Sequence, residues 1–166
     1  MSNRLATPVI PVSWGELIDK LTILEIKQSK IHQKLARTNI DTEFLLLNSI
    51  LIKSLVDLQL INPLRSALKD INLQLWDVED RIREKDSLLE FDQDFILLAR
   101  AVYRLNDARS QHKKLINQAL NSELHEEKSY SDFHLSGKES SKATPERQVT
   151  NKAAIKRQQE SGMHVA

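Results

Sequence analysis

The chain has 166 residues, of which 40% are apolar and 28% charged, a size and composition that fit one domain with a modest core. Its 24 Lys and Arg nearly balance 23 Asp and Glu, so a net charge of +1 gives no broad electrostatic reason to expect nucleic-acid binding. Three glycines and no cysteine exclude Gly-rich nucleotide loops, disulfides, zinc fingers and thiol catalysis.

The first twelve residues contain Pro8 and Pro11 and are expected to form an extended N-terminal segment. They lack the apolar run of a secretory signal. The most apolar stretch, residues 44–61, is interrupted by polar side chains and is expected to be a buried helix. These features predict a cytoplasmic protein with no membrane span.

A helical region begins at Ser13, because Ser13 and Glu16 have the spacing of a capping box. Apolar residues alternating at three and four positions predict helix 1 over residues 14–37, with Leu35 in its seam. Residues 38–41 interrupt the pattern, and helix 2 is expected over residues 42–60.

Asn62 and Pro63 suit the cap and first position of helix 3, which is expected over residues 63–87 with a heptad step typical of coiled-coil packing. Asp92 or Asp94 can cap helix 4, expected over residues 93–121. Its predicted seam includes Leu115. Residues 131–166 are polar and without period, which predicts a disordered tail after a bundle domain of residues 13–130.

The predicted fold is all-α, either an antiparallel four-helix bundle or an elongated pair of helical hairpins, followed by the disordered C-terminal tail. Helix 4 would be roughly 40 Å long and helix 2 roughly 30 Å, so the long helices would overhang the short one. Such an overhang is a natural place for self-association.

Four sequence blocks carry a family resemblance: SWGELIDKLTILEIK (13–27), LWDVEDRIREKD (75–86), ARAVYRLNDARSQHKKLIN (99–117) and EEKSY (126–130). They resemble a family of small bacterial helical proteins known as a domain of unknown function. The resemblance covers about residues 8–130 and leaves the tail after Tyr130 outside. It implies a bacterial, cytoplasmic helical protein, and it brings no activity, substrate or catalytic residue.

Counting the rise along an ideal bundle places polar residues in two layers. The lower layer contains Glu16, Asp19, Lys20, His112 and Lys113, close in height to Arg109. The middle layer, with Lys20 and Trp76 added, is the candidate ligand-binding set: Lys20, Glu25, Trp76, Asp77, Asp80, Arg100, Arg104 and Asn106. The simpler interpretation is that both layers are solvated faces with ordinary ion pairs between helices.

No metal site is predicted, because the chain has no Glu-x-x-His motif of the di-iron bundles. The carboxylate pairs Glu16/Asp19 and Asp77/Asp80 would lie roughly 18 Å apart in height, too far to share one Mg²⁺. A chorismate-mutase-like enzyme would need clustered cations, which Arg100 and Arg104 could supply. No cofactor is expected, and catalytic residues remain unassigned.

The wide apolar stripe of helix 1 and the two apolar strips of helix 3 exceed what a small bundle buries. They favour a non-enzymatic protein that associates with a protein partner or with itself. The alternative is a small-molecule-binding protein or small all-α enzyme that uses the middle layer. Nucleic-acid binding through the basic residues 152–157 is less favoured, and the EEKSY block is expected to dock Glu126 or Glu127 onto a Lys or Arg of the bundle.

Overall fold

The computed structural model describes residues 6–54 and 57–127, and those residues form four α-helices and no strand. The helices are α1 (Trp14–Lys30), α2 (Lys34–Lys53), α3 (Leu58–Ser87) and α4 (Gln93–Ala119). The prediction of an all-α bundle is therefore confirmed. The predicted tail, Tyr130 and the basic residues 152–157 lie outside the described residues.

The helices α3 and α4 form an antiparallel hairpin, and α1 packs against both. Among the described helices, α2 packs its backbone against α1 alone. The helices α1, α3 and α4 thus pack closely on one another, and α2 lies along α1 and contributes Leu51 to the shared core.

The start of α1 agrees with the sequence, because Ser13 Oγ accepts a hydrogen bond from the Glu16 backbone N–H at 3.3 Å. The predicted end at residue 37 is wrong: α1 ends at Lys30, and Ile31 is extended. Arg37 of the next helix donates to the Gln28 carbonyl and satisfies an unpaired group at the end of α1. The apolar spacing continues across this break, so periodicity could not reveal it.

The predicted interruption at residues 38–41 is also wrong, because those residues lie inside α2. The Thr38 and Thr42 hydroxyls donate to the carbonyls of Lys34 and Thr38, at 3.0 Å and 2.8 Å. These bonds satisfy the hydroxyls without breaking the helix. Ile40 is 8% exposed and anchors the same turn.

The helix α3 begins at Leu58, five residues before the predicted start, and Pro63 lies within it. Asp57 caps it by accepting from the Gln59 backbone N–H at 2.9 Å. Pro63 has no N–H to donate to the preceding turn. Complete burial of Ile61 stabilises that turn despite the missing hydrogen bond.

The helix α4 begins at Gln93 as expected and ends at Ala119, two residues before the predicted end. Asp92 is its cap and accepts from the Phe95 backbone N–H at 2.9 Å. The hydrogen bond from Lys85, together with the Phe95 N–H, lowers the pKa of Asp92. Leu115 of the predicted seam is 44% exposed, because a different face of α4 meets α1.

The apolar core lies at the end of the molecule where α1 begins and α4 ends. All four helices contribute to it, through Leu17, Ile18, Leu21, Leu51, Ile61, Leu68 and Ile116. The ion pair between Lys30 and Asp77 is made by the last residue of α1. Beyond Asp77, α3 continues to Ser87, so the tip of the hairpin extends about 15 Å past that contact.

Candidate functional site

A buried carboxylate, Asp19 of α1, lies at the centre of a polar layer between α1, α3 and α4. Asp19 is 2% exposed, and its two oxygens accept from Nε and Nη2 of Arg109 at 2.9 Å and 2.5 Å. This two-point pairing raises the pKa of Arg109. It joins α1 to α4 through a pair of opposite charges.

The same carboxylate also reaches α3. Asn72 Nδ2 donates to Asp19 Oδ1 at 2.8 Å and lies 2.9 Å from Thr22 Oγ1. The Thr22 hydroxyl donates to the Asp19 carbonyl at 2.8 Å. Asp19, Thr22 and Asn72 are all buried, so one hydrogen-bonded cluster fixes the register of three helices.

A second cation of this layer, Lys113, lies one turn further along α4 and is buried, with 7% of its surface exposed. Its ammonium group pairs with Glu16 of α1 and with Glu126 of the segment after α4, the latter at 2.5 Å. Burial favours the neutral amine, but hydrogen bonds to Glu126 and Glu16 outweigh it, and the pKa of Lys113 is raised.

The first two residues of the EEKSY block pair with lysines of α4, as the sequence predicts, and the last three lie outside the described residues. Glu126 pairs with Lys113, and its neighbour Glu127 lies 3.5 Å from Lys114. The segment that follows α4 is thereby held against the first turn of α1.

The backbone of α1 approaches α4 most closely at Gly15. The Gly15 N–H donates to Asn117 Oδ1 at 2.6 Å, and the Trp14 N–H donates to Ser122 Oγ at 3.3 Å. With the Ser13 cap, three N–H groups at the start of α1 are satisfied by side chains. A β-carbon at Gly15 would lie 2.6 Å from the Lys113 carbonyl oxygen, so this approach requires glycine.

The charged and polar groups of this layer are paired with one another. Each of its cations is paired with a carboxylate of the layer, and no buried side-chain nitrogen or oxygen of the described residues lacks a hydrogen-bond partner. Residues 6–54 and 57–127 contain no group of three or more His, Asp or Glu arranged to hold a metal ion. The arrangement suits a structural role, in which these pairs fix the positions of α1, α3, α4 and the C-terminal segment relative to one another.

The structure brings together three residues of the predicted lower layer, Glu16, Asp19 and Lys113. Lys20 lies elsewhere and pairs with Glu43 of α2 at 3.0 Å. His112 makes a hydrogen bond of 2.9 Å from Nδ1 to the Ala108 carbonyl of its own helix.

The carboxylates of the predicted middle layer are distributed over separate ion pairs. Glu25 pairs with Arg65 and Lys69, and Asp77 pairs with Lys30 at 3.1 Å. Asp80 pairs with Arg83 at 3.2 Å on the exposed side of α3.

The remaining middle-layer residues lie mostly along α4. The Arg104 guanidinium carbon lies 6.0 Å from the centre of the Tyr103 ring. A hydrogen bond from Arg100, assisted by Arg104, lowers the pKa of Tyr103. Asn106 Nδ2 donates to the Val102 carbonyl at 3.0 Å, and Trp76 is half-buried on α3.

One surface groove brings two of the candidate residues together, Asp77 of α3 and Arg104 of α4. Gln74, Val78, Ala101 and Leu105 complete its lining. The groove is shallow and open, with an apolar floor and one charge of each sign.

Sequence reasoning missed the polar partners of the buried layer: Thr22, Asn72, Asn117 and Ser122. One signal was available for Asn72, which lies between Leu68 and Leu75 at helical spacing, where an apolar residue is expected. A polar residue in such a position is buried with a hydrogen-bonding partner.

The four helices and the hydrogen-bonded polar layer between them define a small all-α protein. The chain belongs to a family of unknown function, DUF6165, whose family model matches residues 9–144. The expectation that the family region stops at Tyr130 is wrong, because the match extends into the tail. No curated protein and no solved structure matches the chain. None of the described helices is long and apolar enough to cross a membrane.

Proposed function

We propose that this protein is a non-enzymatic bacterial cytoplasmic protein that acts by association, with a protein partner or with itself. The observation that supports the proposal most is the exposure of large apolar side chains, on α2 and around the turn between α3 and α4, that no described element covers. These side chains form two surfaces, one on α2 and one at the tip of the α3–α4 hairpin.

The α2 surface contains Leu45, Leu46, Ile50 and Ile52, which are 66%, 54%, 49% and 63% exposed. Fully burying an exposed aliphatic side chain of this size contributes about 1.5–3 kcal/mol, and these four have about half of that area left to bury, so each can contribute roughly 1–1.5 kcal/mol to association. Grouped apolar side chains on a helix face are typical of interaction sites.

The hairpin tip contains five exposed apolar side chains: Leu88, Leu89, Phe91, Ile96 and Leu97. Leu89 has a φ of 57° and is 77% exposed. A bulky residue in this left-handed conformation is unusual, and glycine is the ordinary choice there. Because the Leu89 side chain is mostly exposed, it is available for a contact outside the fold.

The buried charges support a structural rather than a chemical role. Arg109 and Lys113 would be the natural anchors for an anionic substrate, but carboxylates of the same chain already pair with both. A substrate would have to displace those carboxylates before binding.

The association proposal is tested by cross-linking the purified full chain and by exposing it, immobilised, to a bacterial lysate. Loss of a cross-linked or captured species on Leu97→Glu, with Gln111→Glu at an exposed position of the same helix away from the tip as the matched control, supports the tip surface. No cross-linked species and no capture that depends on an α2 or tip residue would refute association.

The groove beside Asp77 and Arg104 supports a second candidate, a binding site for a small zwitterion. Its apolar floor would hold the ligand body and Arg104 would bind the anionic end. Asp77 would bind the cationic end in place of Lys30, whose exposed ion pair with Asp77 is weak and easily exchanged. A thermal-shift screen of amino acids against the full chain tests this, with Arg104→Ala as the variant and Arg81→Ala as the control. A stabilisation that Arg104→Ala leaves intact would contradict the groove assignment.

A further inference from the structure

The outer face of α2 carries a regular stripe of four residues, Glu43, Leu46, Ile50 and Lys53, called here the α2 stripe. Their spacing of three, four and three residues places them along one side of the helix. Leu46 and Ile50 are 54% and 49% exposed, and both end residues are exposed as well. The buried Leu51 lies about a third of a turn away, so the stripe is separate from the core-facing side of α2.

The stripe is complementary to itself when it is reversed. Read in either direction it has a charge, two aliphatic residues and a charge, and the two end charges have opposite signs. Two copies of α2 packed antiparallel about position 48 would therefore place Glu43 against Lys53 of a second copy. The same register places Leu46 against Ile50 of the second copy, and the two-fold axis repeats both pairs.

We propose that this chain forms a two-fold symmetric dimer through antiparallel packing of the α2 stripe. The inference rests on the proposed function of association and specifies the partner as a second copy. We assign a second copy of the chain as the partner on the basis of charge complementarity, because the α2 stripe carries both Glu43 and Lys53, the two members of each ion pair.

The intramolecular pair of Glu43 is compatible with this dimer. Lys20 lies 3.0 Å from Glu43 Oε1, and a carboxylate can accept from two cations. This protein contains such an arrangement at Glu25, whose two oxygens pair with Arg65 and with Lys69. Lys53 of the second copy would complete the same three-charge pattern at Glu43.

The charge of the hairpin tip disfavours contact with the hairpin tip of a second copy. Residues 84–94 contain five carboxylates and one lysine: Glu84, Asp86, Glu90, Asp92, Asp94 and Lys85. Two such tips would bring like charges together, which disfavours a contact between copies there. The α2 stripe is therefore the surface that fits a second copy.

The test is sedimentation equilibrium of the full chain and its charge variants. Lys53→Glu alone would face Glu43 of the second copy, and Glu43→Lys alone would face Lys53. Each is expected to weaken the dimer at least about tenfold. An equimolar mixture of the two variants should restore it as a heterodimer, because one ion pair re-forms with the wild-type orientation and the other with its signs exchanged.

Lys34→Glu is the matched control, since it makes the same charge change on α2 outside the stripe. Circular dichroism checks that every variant is folded, and Leu46→Glu provides a second disruption that does not involve Lys20. Dimerisation that survives all three stripe variants would overturn the α2 interface and leave association by another surface standing. A wild-type chain that stays monomeric would overturn the dimer, and the lysate experiment would then decide whether a foreign partner remains.

Discussion

Replacing Gly15 by alanine tests the close approach of α1 and α4. A β-carbon there would lie 2.6 Å from the Lys113 carbonyl oxygen and 3.0 Å from both Asn117 Oδ1 and the Lys113 carbonyl carbon. Because two of these atoms are backbone, no side-chain rotation relieves the overlap. The helices must separate, which lengthens the 2.6 Å bond from the Gly15 N–H to Asn117.

The expected effect on stability follows from three contributions. Overpacking of this kind costs about 1–3 kcal/mol, and the weakened hydrogen bond adds about 1 kcal/mol. Alanine offsets about 0.5–1 kcal/mol, because glycine is the poorer helix former. The free energy of unfolding should therefore fall by about 2 kcal/mol, which lowers Tm by about 5–10 °C.

Urea unfolding followed by circular dichroism measures this change. Gln93→Ala is the control, because Gln93 is the exposed first residue of α4, and its replacement should change stability by less than about 0.5 kcal/mol. A Gly15→Ala protein as stable as the wild type, or more stable, would refute the packing of α1 on α4.

Three further variants test the polar layer and the hairpin turn. Asp19→Asn leaves the half-buried Arg109 charge without its carboxylate and should cost about 2–3 kcal/mol in urea unfolding, whereas Asp77→Asn, at an exposed ion pair, should cost less than about 1 kcal/mol. Equal effects of the two would contradict the buried pair. The raised pKa of Lys113 means that its ion pairs stabilise the fold below the ordinary lysine pKa of 10.5, and that this contribution is lost as pH rises through the folded-state value. The stability difference between wild type and Lys113→Met should therefore shrink above about pH 10.5, and a constant difference would count against it. Leu89→Gly relieves a left-handed φ at an exposed position and should raise stability by about 1 kcal/mol in thermal unfolding, while a lower Tm would show that the leucine packs within the monomer.

The four helices could be predicted from sequence because their apolar spacing reports which side of each helix is buried. The break between α1 and α2 could not, because the spacing runs through it and no glycine or proline marks it. At the break, Arg37 donates to the Gln28 carbonyl, nine residues earlier at the end of α1, and to Asp41 one turn later in α2. The Arg37–Asp41 spacing can be read from the sequence, but the bond to a backbone carbonyl across the loop cannot.

The polar layer could be predicted only in part, because the sequence gives the height of a residue along a helix but not its direction around the helix. Rise per residue predicted the heights of Glu16, Asp19 and Lys113 along the bundle, and the structure brings these three together. Height does not report which face of a helix a side chain occupies. Glu25 therefore meets Arg65 of α3 and not the arginines of α4, to which the height argument assigned it.

The face of α4 that meets α1 could not be identified from hydropathy, because it contains polar residues. Its buried residues include Lys113 and Asn117, which a hydropathy pattern assigns to the surface. Their burial depends on partners in α1 and in the segment after α4. Only the three-dimensional structure shows that both sets of partners, in α1 and in the segment after α4, lie beside this face.

The molecular mass of the full chain in solution tests the central claim of association most directly. Light scattering should give a mass that rises with concentration towards twice the 19.1 kDa of one chain. Because the α2 stripe carries the proposed contact, Leu46→Glu should return that mass to one chain. A mass of one chain for the wild type at every concentration up to hundreds of micromolar would contradict self-association.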